Sequence, residues 1–187
     1  MPSPFAHGVA GLTVHILMSR DRQDLYDPWR IGVTVGAALA PDLDLAFRYV
    51  DGRNHHGAEF HGLGVALLAA LVGGLVFRLL GWRRPSAGGL AIGLAWATHP
   101  LLDYLNVDTS PPIGILALWP FDSSYYKFPW PIFMDIGRTL DGTTLRHNVI
   151  AAAWEAVLLL PVLLVAWRWR SRRLQGARWR EASRASR

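Results

Sequence analysis

Apolar residues fall into five runs along the chain, at 5–18, 31–47, 63–80, 87–105 and 149–167. The last three approach the ~20 residues that a helix needs to cross the hydrocarbon core of a bilayer. The run 63–80 is broken only by Arg78 near its end, where a long side chain can snorkel toward the headgroups. The run 87–105 is rich in Gly and Ala and carries His99 and Asp103 in its last third, while 149–167 holds one acid, Glu155, and one proline, Pro161. The first two runs are shorter but helix-compatible, with a polar, alternately charged loop predicted between them at 19–30. Residues 106–147 break the pattern. Pro111, Pro112, the Trp119-Pro120-Phe121-Asp122 run, Tyr125, Tyr126, Trp130 and Pro131 do not suit a regular spanning helix, and amphipathic rings are stable at the membrane–water interface. The pattern predicts an all-α integral membrane bundle of about five helices with a Pro- and aromatic-rich interfacial loop. The alternative is a soluble bundle of buried helices, for which short early runs would suffice.

Composition sharpens this picture. Of 187 residues, 51% are hydrophobic and only 18% charged, which is unusual for a soluble domain of this size, and nine are Trp. The formal charge of +5 belongs to the tail, because residues 168–187 hold eight Arg against one acid, Glu181. Two units follow: a membrane domain over 1–167 that would hold the chemistry, and a basic cytoplasmic tail over 168–187, predicted to be disordered. Nothing organises the tail as a reader of bases, so a nucleic-acid partner is not expected. Trp167 and Trp169 at its start fit a juxtamembrane anchor on the lipid bilayer instead. The absence of Cys excludes disulfides and thiolate metal sites, leaving His, Asp and Glu as ligands. No Lys or Arg precedes the first apolar run, so residues 1–18 lack the charged start of a signal peptide and are expected to stay in the mature protein.

Arginine positions set an orientation. Arg83 and Arg84 follow the third run and the Arg-rich tail follows the fifth, so both should face the cytoplasm. Working backward, the N-terminus starts outside and the C-terminus ends inside. That topology collects His7, Asp42, Asp44, His55, His56, His61, His99, Asp103 and His147 near the outer face, and places His15 at the inner end. Ionisable groups at membrane depth cost several kcal/mol unless paired or metal-bound, which makes this layer the candidate site.

Each motif allows two readings. His99 and Asp103, at i and i+4 on one helical face, suit one metal ion, a bridge between two, or an Asp that fixes the His tautomer. Asp42 and Asp44 follow Pro41 and present two carboxylates, as ligands or as a solvated helix end. His56 and His61 can share a metal if a turn intervenes, which Gly57 permits. Glu59 is either a general base or a solvated acid. His147 is at the correct face but also suits a capping role, and Glu155 is expected to pair with another helix.

A His near the N-terminus, Pro-Asp-x-Asp, a His-x4-His cluster, a His-x-Leu-Leu-Asp helix and a Leu-Trp-Pro-Phe segment occur in that order. The chain in this resembles the YdjM/YbcI-like family of membrane-bound metal-dependent hydrolases, from His7 to about Trp167. The resemblance implies location in the bacterial inner membrane, metal-dependent hydrolysis, and a His/Asp site similar to that of zinc phospholipase C-type enzymes. Carried over by motif, the metal ligands are His7, Asp42, Asp44, His56, His61, His99 and Asp103. The family pattern His-Arg-Gly-x-Thr-His-Ser reads here as His56-Gly-Ala-Glu-Phe-His61-Gly. The His spacing is kept, but the Arg, a residue suited to clamp phosphate or carboxylate, is missing from this motif.

The expected function is therefore hydrolysis of a phosphoester or ester, from a small or lipid-like substrate, at the outer membrane face. The expected cofactor is a divalent metal, Zn²⁺ first and Mn²⁺ second. Asp44 or Glu59 would accept the proton. The alternative is a non-catalytic membrane protein that uses the same layer for metal binding, transport or assembly. Transport would call for polar residues on both halves of the bundle, and the inner halves read as apolar.

Overall fold

Capping residues set where the helices begin. In the computed structural model, which describes residues 1–52, 55–109 and 111–185 with side chains through Gly176, Ser3 caps α1 (Pro4–Met18). Its hydroxyl accepts from the Ala6 amide, and Pro4 occupies the first turn, where a missing N–H is harmless. Asp21 and Asp27 cap the short α2 (Arg22–Leu25) and α3 (Pro28–Leu39) in the same way. The run expected as one helix over 31–47 is two. Pro41 has no N–H to give to the ladder, and the chain tightens into 3₁₀ turns over Ala40–Phe47. A one-turn α4 (Arg48–Asp51) follows and ends at Gly52, whose φ of +74° suits glycine. A second 3₁₀ turn, Glu59–His61, leads into α5 (Leu63–Leu79), then α6 (Pro85–Tyr104) and α7 (Gly142–Ala185). The described residues contain no β-strand, only isolated bridges at Asn106–Phe133 and Ile115–Tyr126.

Helix α6 is central, packing on α1, α3 and α5, while α1 also packs on α3 and α7. Small residues let the backbones close. A Cβ on Gly89 would stand 2.3 Å from the Ala70 carbonyl oxygen of α5, and one on Gly11 of α1 would stand 2.7 Å from the Ala38 Cβ of α3. The buried apolar clusters are correspondingly small, such as Ala37, Ala38 and Ala95, or Ala6, Leu102 and Phe133.

Three runs were expected to be long enough to span. Among the described residues one helix is, over 142–176 within α7. Helix α5 stops after 17 residues, roughly 26 Å at 1.5 Å per residue. Helix α6 has 20 residues, but Gly, Thr, His and Asp dilute its apolarity. Nor does α7 end at Trp167. Arg170 Nε donates to the Ser19 carbonyl, and Leu174 is buried with Ile16, Leu25 and Ala166, so the expected domain edge falls inside a helix.

The irregular stretch between α6 and α7 is ordered by its backbone. It is tied to α6 by Phe128 N donating to Tyr104 O (3.1 Å) and Ile132 N to Leu105 O (2.7 Å). It is tied to the segment before α5 by Leu116 N to Gly57 O (2.8 Å) and Leu63 N to Ala117 O (2.9 Å). The loop thus backs the segment that carries His56 and His61.

Candidate metal centre

Four pieces of chain deliver the polar residues to one point. Helix α1 brings His7, the 3₁₀ turns after α3 bring Asp42 and Asp44, the segment before α5 brings His56 and His61, and α6 brings His99 and Asp103. All seven residues carried over from the family resemblance converge. His61 is the hinge of the cluster, with Nδ1 at 3.2 Å from Asp44 Oδ2 and Nε2 at 3.0 Å from Asp103 Oδ2. His99 Nε2 stands 3.3 Å from Asp103 Oδ2 and 3.4 Å from Asp42 Oδ1. His7 Nε2 reaches Asp103 Oδ1 at 3.6 Å, and His56 Nδ1 lies 3.6 Å from both Asp42 and Asp44. The His7 and His99 rings stack at 3.7 Å, and His61 meets His99 edge-on at 4.9 Å.

The local sequence explains the aim of His99. A proline at position 41 cannot donate to the Ala38 carbonyl, and His99 Nδ1 donates to that oxygen instead (2.7 Å). This places a proton on Nδ1 and turns Nε2 toward the carboxylates, as a second-shell hydrogen bond does for a ligating histidine.

The cluster is buried. His7, His61 and His99 are 0% exposed and Asp44 is 1% exposed. Yet both ring nitrogens of His7 and His61, Nε2 of His99, Oδ1 of Asp42 and all four carboxylate oxygens of Asp44 and Asp103 lack an aligned hydrogen bond. Buried polar atoms are rarely left so, and a cluster of imidazoles and carboxylates that meet only as ion pairs is one that a divalent cation satisfies. The atoms fall into two sets, His7, His99 and Asp103, and Asp42, His56 and His61, each with its ligand atoms within 4.8 Å of one another. Burial pushes the Asp44 carboxyl upward, but the His56 and His61 imidazoles outweigh it and hold it below the ordinary 3.8. Burial likewise disfavours the His61 imidazolium, but the Asp103 and Asp44 carboxylates on either side raise it above the ordinary 6.5.

The other candidates lie apart. Glu59 is exposed and lines a separate cleft with Asp44, Phe47 and Phe60. His55 pairs with Asp51 (2.7 Å), and His147 sits within α7, beside the carbonyl of Asp135 (2.9 Å). His15 is buried at the far end of α1 against the Leu25 carbonyl (3.2 Å). Glu155 is fully buried and accepts from both the amide and the hydroxyl of Ser3, so it braces the N-terminus of α1 one turn before His7.

The motif reading missed two residues beside the centre. Asn106 and Arg138 line a cavity of about 270 Å³ that His56 and Asp103 also wall. Both come from the irregular loop, where no periodicity points a side chain anywhere.

Neither a curated protein nor a solved structure matches the chain. The family described as YdjM inner membrane protein matches residues 1–174, a span that contains all seven residues of the centre. The chain belongs to the YdjM inner membrane protein family.

Proposed function

We propose that the chain is a membrane-bound, metal-dependent hydrolase acting on a phosphoester or ester at the outer face of the bacterial inner membrane. The observation that carries this reading is the convergence of four imidazoles and three carboxylates, among which His7, His61, His99, Asp44 and Asp103 have buried side-chain atoms without an aligned hydrogen bond. When bound there, divalent cations, Zn²⁺ first, would supply Lewis acidity and lower the pKa of water toward ~7. The two ligand sets support two cations per chain. His99 is oriented by the Ala38 carbonyl, and Asp103, in contact with His7, His61 and His99, ties the sets together. Asp44, held ionised between two imidazoles, is both ligand and the nearest proton acceptor. Glu59, exposed in the cleft beyond Asp44, is placed to pass that proton to solvent.

Several features support a multi-pass setting with the centre near the outer headgroups. Large apolar side chains face outward on α5 (Leu67, Leu71, Leu75) and α7 (Val157, Leu164, Val165), while the interior holds the imidazoles, the carboxylates and Glu155. Lipid is the solvent that such an inverted distribution suits. Arg83 and Arg84 mark the cytoplasmic end.

Metal analysis of detergent-purified protein tests the reading. Two equivalents per chain are expected in the wild type, one in His7→Ala, and none in Asp103→Ala. Bis(p-nitrophenyl) phosphate should be cleaved by the wild type and not by Asp103→Ala. Glu59→Gln should keep its metal and lose about tenfold in kcat, below the hundredfold typical of a direct general base. Stoichiometric metal without turnover on any phosphoester or ester would leave a binding protein, and no metal would end the proposal.

A further inference from the structure

The cavity beside the centre has the features of a substrate site. It measures about 270 Å³ and is lined by His56 and Asp103 together with Met1, Asn106, Asp108, Asp135 and Arg138, the Asp108 carboxylate accepting from the Gly114 amide (2.6 Å). That is slightly below the ~300 Å³ lower bound of drug-sized pockets, which fits a compact polar headgroup and not an acyl chain.

Two of its walls have hydrogen-bonding capacity to spare. Asn106 is 1% exposed, and its Nδ2 donates to the Val107 carbonyl (2.6 Å), but its Oδ1 has no hydrogen-bond partner. A buried amide oxygen on a cavity wall calls for a donor from within the cavity. Arg138 stands on the exposed rim, and its Nη2 is directed at the Met1 thioether sulfur (3.1 Å), a weak acceptor, instead of at a carboxylate. Asp135 and Asp141, each three residues away, face His147 (3.2 Å) and the hydroxyls of Thr139 and Thr144 (2.7 and 2.8 Å) instead. Among the described residues no carboxylate pairs with Arg138, and a guanidinium with five donors on a small cavity that His56 and Asp103 also line is suited to grip an oxyanion there.

We propose that this cavity takes the headgroup of a phosphate ester, with Arg138 as the anion clamp and Asn106 Oδ1 receiving a hydroxyl of the substrate. The proposal rests on the metal-hydrolase reading and names its substrate class. Arg138 comes from the loop before α7, far in sequence from every ligand, so the clamp and the centre are separable by mutation.

The test uses the full chain in detergent, loaded with zinc, and inorganic phosphate as the probe, followed by calorimetry. Wild type binds phosphate. Arg138→Ala weakens binding about ten- to hundredfold, the range of a lost charge-assisted pair, with metal content unchanged, and Arg138→Lys recovers part of the loss. Competition by glycerol 3-phosphate and by phosphatidic acid in mixed micelles identifies the source of the headgroup, and displacement by either supports the clamp. Full metal loading with no phosphate binding, or equal binding by Arg138→Ala, overturns this inference alone. A wild type that takes up no metal overturns the functional reading beneath it.

Discussion

His61 sits between two carboxylates, and that position makes the centre sensitive to pH in opposite senses with and without metal. Its raised pKa contributes stability fully below the ordinary 6.5, lost as pH rises through the higher folded value. Asp44, with a depressed pKa, contributes stability above the ordinary 3.8, lost as pH falls through the lower folded value. Both contributions are complete between those two ordinary values, so in metal-free protein this pair should stabilise most near pH 5 and less toward pH 8. Cations and the His61 proton compete for the same nitrogen, so zinc should raise the melting temperature more at pH 8 than at pH 5.5. An equal or larger zinc shift at the lower pH would remove His61 from the ligand set. The seven residues that converge were legible because few ionisable residues interrupt so apolar a chain, and each that does needs a partner. Arg138 was not legible, since an arginine in an irregular loop has no pattern to mark it. Gly57 shows why a basic side chain cannot follow His56 here. Its φ is +80°, and a Cβ would stand 2.9 Å from the Gly114 carbonyl oxygen. Glycine thus suits the backbone at the position where the family pattern has arginine.

Helices carry this precision to the ligands, and α6 does most of it because it presents His99 and Asp103 one turn apart on the face toward α1 and the 3₁₀ turns. Its position is fixed from behind by backbone contact with α5, where Gly89 and Gly93 leave room for Ala70. Gly89→Val should force the pair apart, cost about 3 kcal/mol as an overpacked contact, and weaken zinc binding although it lies far from every ligand. Thermal unfolding in detergent and a zinc titration read the two effects, and a destabilised variant with unchanged zinc affinity would show that α6 position does not set the centre. Helix extents were readable to within a few residues for α1, α5 and α6, where the apolar runs have clear ends. They were not readable at 31–47, because apolar residues continue past Pro41, alternating with Asp42 and Asp44, while the regular helix does not. That break is functional. It changes the direction of the chain so that Asp42 and Asp44 turn toward His56 and His61, and it leaves the Ala38 carbonyl to His99. Glu155 was expected to pair with another helix, and it does so at Ser3, where it satisfies the first amide of α1 and the hydroxyl that caps it.

Taken as a whole, the molecule buries a polar cluster within its apolar core and exposes many large apolar side chains. His7, His61, His99, Asp44, Asn106 and Glu155 are among its most buried side chains, while leucines and valines cover α5 and α7. In water that distribution would cost the exposed apolar area and strand the interior charges, whereas in a bilayer the outer surface is solvated by lipid and the interior charges have one another or a cation. Among the described residues one helix is both long and apolar enough to cross alone, so α1, α5 and α6 would have to cross as a packed group, covered by their neighbours. The orientation proposed for this group is directly testable because the chain has no cysteine to remove. Ser123→Cys, exposed in the loop between α6 and α7, should react with a membrane-impermeant maleimide in intact spheroplasts. Arg83→Cys, exposed after α5, should react only once the membrane is opened. The two positions lie at opposite ends of α6, since Arg83 precedes Pro85 and the loop follows Tyr104. Labelling of both from outside would mean that α6 does not cross and that the centre lies on a peripheral domain held by α7. The reverse pattern would place the centre on the cytoplasmic face and move its substrate to the inner leaflet. Labelling of Ser123→Cys alone puts the centre at the outer headgroups, where the Arg138 cavity would meet a phosphate ester directly.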